Sequence, residues 1–302
     1  MLLVPDTLAA YQQLAHAWRE RFTLPVVAIT GSNGKTTTKD LTAAVLSARG
    51  PVLKTQANFN NEIGLPLTLL GLRKKHTAAV VEIGMRGFHQ IEALAPVADP
   101  SIGIVTNVGE THMELLGSLE NIAKAKAELV EAIGAGGTVI LNADNAYVAA
   151  MREKARAGVR VLTFGLEKSA DVKGADIRTA AGKTTFAVTY AGETHDYTIA
   201  MVGRHNVENA LAAIACGFAL FLTPAEIAAG LTHLEATKMR FEVEHVAGYE
   251  VINDAYNASP MSMQAAIETL AELRKGRKIA VLGDMLELGP IAKKAHEEVD
   301  RK

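Results

Sequence analysis

Three threonines and a lysine follow two closely spaced glycines in Gly31-Ser32-Asn33-Gly34-Lys35-Thr36-Thr37-Thr38. That order suits polyphosphate. Glycines let backbone N–H groups close around phosphate oxygens, Lys35 has the reach for the outer phosphates, and the Thr36 hydroxyl is a ligand for Mg²⁺. The apolar run Val26–Ile29 ahead of the turn reads as a short buried strand, and the residues from Thr36 to about 48 read as a helix. A helix N-terminus there adds roughly half a positive charge. Ile29 stands where the general GxxxxGK[ST] pattern has its first glycine, so the loop takes the shorter form TGxxGKTT, with Gly31 to Thr37 as its nucleotide-binding residues.

Other groups of the right chemistry lie at strand ends. Glu82 closes the apolar run Thr77–Ile83, at the edge where open α/β sheets bind ligands. A carboxylate there holds Mg²⁺ beside a phosphate loop, or else caps or pairs locally. His112, in GETHME, follows the run Ser101–Asn107 and has both a ligand and a structural reading. Lys126 sits on the inward side of an amphipathic helix over 118–133. A free ammonium would be repelled by a metal site, so spacing alone leaves a solvated lysine equally open. Further on come Arg204-His205-Asn206 at a helix start and Asn209 one turn later. Arg240 is placed to neutralise a γ-phosphate from across a cleft, and Asp254, Tyr256 and Asn257 follow a strand.

The elements that must position these groups alternate strand and helix. A helix over 7–22, with Asp6 or Thr7 as its cap, leads into the phosphate-loop strand. Strands are expected at Val52–Thr55, Thr138–Asn142 and Val159–Phe164, and a polar loop at Gln56–Gly64. This is the rhythm of a parallel α/β sheet with helices on both faces. Between 170 and 200 the pattern turns to short alternating segments, Asp176–Thr179, Thr185–Tyr190 and Tyr197–Met201, separated by Gly182 and Gly192. They predict a small antiparallel meander at the sheet edge. Helices follow at 206–221 and from Pro224. A junction at Ala236–Arg240 precedes a partial Rossmann-like α/β domain with strands near 241–246, 249–253 and 278–282 and a helix at 261–273. The expected division is a helix and linker at 1–24, a central ATP-binding domain at 25–237 and a partial C-terminal domain at 238–302.

Composition sets outer limits. With 49% apolar and 21% charged residues and a net charge of −2, the chain fits an ordinary globular protein and carries no general electrostatic pull toward nucleic acid or anionic membrane. Its one cysteine, Cys216, excludes an intrachain disulfide and suits the cytoplasm. No apolar run nears the ~20 residues that span a bilayer, and the N-terminus lacks the pattern of a signal peptide.

The run ITGSNGKTTTK resembles the phosphate loop of the Mur ligase family, the ATP-dependent amide ligases of peptidoglycan synthesis, including its missing first glycine. VVEIGM, TNVGETHMELLGSLENIAKAKAEL, LNADN, GRHNVENALAA, KMRFE and NDAYNASP follow in that family's order from about Pro25 onward. NFNNEIGLPLTLL, NDAYNASPMSM and VLGDMLELG look most like the branch that adds D-alanyl-D-alanine to UDP-N-acetylmuramoyl-tripeptide through an acyl phosphate.

The resemblance implies ATP and two Mg²⁺, with Thr36 and Glu82 holding one ion and His112 helping to hold the second. It implies that Lys126 is carbamylated by CO₂, which replaces the ammonium with a carboxylate-like ligand. His205, Asn206 and Asn209 would contact the nucleotide, and Arg240, Asp254 and Asn257 would close over it. A cytoplasmic monomer is expected. With 24 residues before Pro25, the chain reads as a ligase fragment lacking the uridine-nucleotide domain and the end of the C-terminal domain, and is expected to be inactive in isolation. Two rivals remain: a folylpolyglutamate-type ligase of the same superfamily, and a nucleotide-binding remnant without catalysis. A guanine-specific switch would carry NKxD, and NADN at 142–145 lacks the lysine.

Overall fold

A computed structural model describes residues 3–180, 182–234, 239–240, 242–272 and 276–301. The first part of the chain gives α1 (Thr7–Arg19), β1 (Val26–Thr30), α2 (Lys35–Leu46), β2 (Val52–Lys54), α3 (Gly64–Leu70), β3 (Ala78–Glu82) and α4 (Gln90–Ala98). Then come β4 (Ile102–Val105), α5 (Met113–Leu116), α6 (Leu119–Ala132), β5 (Thr138–Asn142), α7 (Ala146–Ala150) and β6 (Arg160–Gly165). The remainder gives β7 (Val172–Ala180), β8 (Lys183–Tyr190), β9 (Glu193–Ile199), α8 (Arg204–Ala219), α9 (Pro224–Leu231), β10 (Glu242–Val246), β11 (Tyr249–Asn253), α10 (Pro260–Glu272) and α11 (Ala292–Asp300).

Nine strands form one sheet in the order β2-β3-β1-β4-β5-β6-β7-β8-β9, parallel from β2 to β7 and antiparallel from there on. Every residue of β1, β3, β4 and β5 is buried. That is why these strands read as unbroken apolar runs: a parallel sheet covered on both faces has no polar side. Alternate residues feed two cores. Val27, Ile29 and Val80 pack with Leu41, Val45, Leu211 and Ile214 of α2 and α8, while Val26, Ala28 and Val81 pack with Leu65, Ile91, Ile122 and Leu129 of α3, α4 and α6. Each of these valine, leucine and isoleucine side chains contributes about 1.5–3 kcal/mol by leaving water.

β1 lies between β3 and β4, with the chain turning one way to β3 and the other way to β4. A crevice forms where the strand order reverses, outside the carboxyl ends of these strands. The phosphate loop, Glu82 and the residues after Val105 all emerge there. Helix caps match residue type: the Asp6 carboxylate accepts from Leu8 N and Ala9 N (2.8 and 2.9 Å), and Thr223 and Glu226 form a capping box on α9.

The meander is present with longer strands than its sequence suggests, and Phe164↔Val172 pairing joins it to the parallel sheet. Of the expected junction, only Met239 and Arg240 fall within the described residues. Beyond it, β10 and β11 form an antiparallel hairpin, and Met285, Leu288, Ala295 and Val299 make a small core under α10 and α11. The strand expected at 278–282 is absent: these residues are irregular, with Ile279 67% and Val281 93% exposed. An apolar run becomes a strand only where a neighbour accepts its backbone hydrogen bonds, and none of the described residues pairs with it. No helix among the described residues is long and apolar enough to cross a membrane.

Candidate functional site

β1 ends at Thr30 and α2 begins at Lys35, so four residues make the whole phosphate-loop turn. The Asn107 side chain grips it as a neighbouring strand would: Oδ1 accepts from Asn33 N (2.8 Å) and Nδ2 donates to Asn33 O (3.1 Å). Thr106 Oγ1 donates to the same carbonyl (2.6 Å), and Ser32 N donates to Asn107 O (2.9 Å). Ser32 Oγ donates to Gly109 O (3.0 Å) and accepts from Gly109 N (2.9 Å). Both glycines are required by shape. At Gly31 (φ +151°) a Cβ would stand 1.9 Å from Thr106 Oγ1, and at Gly34 (φ +78°) 2.3 Å from Asn209 Oδ1. Lys35 Nζ donates to Gly31 O (2.9 Å) and Ser32 O (3.3 Å). Burial lowers the Lys35 pKa; the Glu82 carboxylate opposes that shift and the Arg240 charge adds to it.

Glu82 is the last residue of β3. Its Oε2 accepts from the Thr36 hydroxyl (2.9 Å) and its Oε1 from Asn60 Nδ2 (2.8 Å). His112, with φ +58°, precedes α5, and its Nδ1 is hydrogen-bonded to Glu287 Oε2. Burial is the largest influence on its pKa and lowers it; Glu287 opposes, and the Lys126 and Lys35 ammoniums add to the lowering. Lys126 is only 1% exposed. Its neighbours Ile122, Ala125 and Leu129 on α6 face the core, and the same helical face carries Lys126 into the crevice. Burial first, and then the Lys35 charge, hold its pKa well below the ordinary lysine value. None of the described residues gives Lys126 Nζ a hydrogen bond or an ion pair.

The opposite wall comes from α8 and the residues after 239. Asn209 Oδ1 accepts from Thr38 Oγ1 (3.2 Å), and Asn206 Nδ2 donates to Val202 O (2.8 Å). Burial pushes His205 down to about 4, so it is neutral at physiological pH. The Arg240 guanidinium carbon lies 4.1 Å from the centre of the Tyr256 ring, and its buried Nε has no hydrogen-bond partner among the described residues. Burial lowers the Arg240 pKa, while Glu82, Tyr256, Asp254 and Asp40 raise it. Ser259 Oγ donates to Asn33 Oδ1 (2.9 Å), tying this wall to the phosphate loop.

One cleft of about 1170 Å³ is lined by every candidate named from the sequence: Gly31 to Thr37, Glu82, His112, Lys126, His205, Asn206, Asn209, Arg240, Asp254 and Asn257. Thr36 and Glu82 are in direct contact, whereas His112 and Lys126 are linked to them by no hydrogen bond. Among the described residues no three His, Cys, Asp or Glu side chains gather around one point. Sequence reasoning missed Asn60, Asn107, Ser259 and Glu287. Asn60 lies in a conspicuously Asn-rich loop and Asn107 at a strand end, which were the available signals.

Residues 29–217 match the Mur ligase middle domain, and residues 239–302 match the family's glutamate ligase domain. A UDP-N-acetylmuramoyl-tripeptide--D-alanyl-D-alanine ligase of Bacillus subtilis is 42% identical over 99% of this chain, which spans 64% of that relative's length. Among solved structures, MurF from Acinetobacter baumannii superimposes with a TM-score of 0.94 at 34% identity, covering 99% of this chain and 66% of its own. A MurF ligase from Thermotoga maritima in complex with ADP superimposes with a TM-score of 0.90 at 29% identity, covering 99% and 69%.

Proposed function

The chain belongs to the Mur ligase family, and from that premise we propose that it serves ATP-dependent amide-bond formation, joining D-alanyl-D-alanine to UDP-N-acetylmuramoyl-tripeptide in peptidoglycan synthesis. The observation that carries this reading is the 42% identity, sustained over 99% of the chain, with a relative of that name. We place the reaction in the cytoplasm, on a monomer.

A carboxylate is a poor electrophile at neutral pH. Transfer of the ATP γ-phosphoryl group to the substrate's terminal carboxylate gives an acyl phosphate. The amine of D-alanyl-D-alanine attacks its carbonyl carbon, the C–O bond to phosphate breaks, and the amine loses a proton. In this reading the Lys35 ammonium leaves the Gly31 and Ser32 carbonyls for the outer phosphates. Arg240, whose Nε has no partner among the described residues and which has Tyr256 beneath it, swings toward the γ-phosphate as the walls close and exclude water. His205, Asn206 and Asn209 on α8, with Asp254 and Asn257 opposite, hold the nucleotide.

The donor set fits Mg²⁺. A hydroxyl and a carboxylate 2.9 Å apart are hard oxygen ligands, so Thr36 and Glu82 would hold one ion, and His112 with a modified Lys126 the other. Bound there, Mg²⁺ neutralises phosphate charge and polarises the reacting oxygens. Lys126 has the environment for carbamylation. It is buried and without a partner among the described residues, and its pKa is lowered toward the neutral amine, the form that adds to CO₂ with loss of a proton. The carbamate is anionic and accepts hydrogen bonds.

An acceptor panel tests the reading. With UDP-N-acetylmuramoyl-tripeptide and ATP, the protein as the cell makes it is expected to release phosphate with D-alanyl-D-alanine and not with glutamate, diaminopimelate or lysine. Turnover of a folate with glutamate, and none with the UDP-linked tripeptide, instead points to a folylpolyglutamate-type ligase.

A further inference from the structure

Glu287 lies on the irregular segment that follows α10, outside the central sheet, yet its carboxylate reaches two of the loops that build the cleft. Oε2 meets His112 Nδ1 in the loop after β4. Oε1 lies 3.9 Å from Arg86 Nε, in the loop that leaves Glu82 at the end of β3. The backbone joins in: Glu114 N donates to Glu287 O (3.2 Å), and a Cβ on Gly289 would stand 2.9 Å from Glu114 Cα. His112 and Glu287 are both non-glycine residues in the left-handed region, at φ +58° and +60°. Such conformations cost energy and persist where the surroundings over-determine them. Here two of them meet face to face at the rim of the cleft that both line.

We propose that Glu287 is a positioning residue: by accepting the Nδ1 proton of His112 it fixes the imidazole as the Nδ1–H tautomer and turns Nε2, with its lone pair, toward the Lys126 side of the cleft. A carboxylate behind a histidine ligand sets the ring's tautomer and direction and raises its basicity. Glu287 is supplied by the C-terminal segment, so docking of that segment and presentation of a correctly oriented histidine become one event. Arg86 contributes less, being 75% exposed at a long separation. The proposal rests on the reading of His112 as a Mg²⁺ ligand in nucleotide binding.

The test begins without nucleotide or metal. Side-chain ¹⁵N spectra of histidine-labelled protein at neutral pH report which ring nitrogen carries the proton, and His112→Gln assigns the resonance. Wild type is expected to show His112 protonated at Nδ1. Glu287→Gln, which keeps an acceptor oxygen, is expected to retain that pattern, and Glu287→Ala to lose it. In calorimetry, Glu287→Ala is expected to weaken the Mg²⁺-dependent part of ATP binding by about ten- to a hundredfold and to leave ATP binding in EDTA unchanged. An Nε2–H tautomer in wild type, or an unchanged tautomer in Glu287→Ala, overturns the proposal. So does an equal loss with and without Mg²⁺, which marks a merely structural contact. The nucleotide reading fails separately, if wild type binds no ATP at all, and the tautomer measurement stands apart from that outcome.

Discussion

On the sheet side of the cleft, Glu82 and the phosphate loop grow from strands whose every residue is buried. On the other side, Arg240, Asp254 and Asn257 flank a hairpin whose Tyr249 is 74% and Val246 51% exposed, followed by a helix with one buried residue, Thr269. The first wall is fixed by two apolar cores. The part of the second wall after residue 239 is fixed to the first by a few polar contacts, Ser259 to Asn33 and Glu287 to His112 among them, whereas α8 packs into the core with α2. The contrast assigns different tasks to similar residues: the backbone of the first wall is held in place by its cores, while groups on the second depend on contacts that a ligand can make or break.

The largest expected effect tests whether a first-wall charge belongs to the chemistry. Lys126→Ala should abolish ligation with the fold intact by circular dichroism, and added acetate should partly restore turnover by occupying the vacated ligand position. Lys126→Arg should not be restored, because its bulk and charge remain. Near-normal activity of Lys126→Ala without acetate would make Lys126 an ordinary helix residue.

Core truncation sharpens the contrast next. Leu41→Ala, in the core under α2 and fully buried, should cost about 2–5 kcal/mol in urea unfolding. Val281→Ala, 93% exposed, should stay within about 0.5 kcal/mol. Comparable losses would mean that residues 276–282 pack far more tightly than their exposure indicates.

Removing the cation from the loop should weaken Mg·ATP binding by about ten- to a hundredfold, the worth of a charge-assisted hydrogen bond. Calorimetry of Lys35→Ala reads this, and unchanged affinity would remove Lys35 from the phosphate site. The smallest effect belongs to the seam between the walls. Ser259→Ala deletes the seam hydrogen bond to Asn33 together with the hydroxyl's contacts to Ser262 at the start of α10, and should lower ATP affinity by about 0.5–1.5 kcal/mol while leaving the urea midpoint of the central sheet where it was. A shifted midpoint with unchanged affinity would make Ser259 structural.

The first wall was far more legible in the sequence than the second, and the reason is range. A buried parallel strand, a glycine turn and a Lys-Thr helix start are local patterns, so the phosphate loop and Glu82 could be placed within a residue or two. Asn107 lies 74 residues from Asn33, Glu287 175 from His112, and Ser259 226 from Asn33. No local periodicity encodes such pairings, because a side-chain amide or carboxylate chooses its partner only after the fold has brought candidates near. Lys126 was intermediate: its helical face was readable, its burial was not. α4, which runs through Pro96, escaped the reading, since a proline inside a nine-residue segment argues against a helix. Residues 278–282 erred in the opposite sense, as an apolar run without a neighbour to pair with.

The grip of Asn107 on the loop has a thermodynamic consequence. Ser32 and Asn33 direct their amides at Asn107, so an arriving anion is met instead by the first N–H groups of α2, which have no acceptor within the helix. The turn is therefore held in one shape before anything binds. The conformational entropy of those residues, about 1–2 kcal/mol each for the backbone, is surrendered once, when the sheet folds, and is not surrendered again on binding. Nucleotide association should accordingly carry little ordering entropy from the loop itself, and whatever unfavourable entropy it shows belongs to the wall that has yet to close.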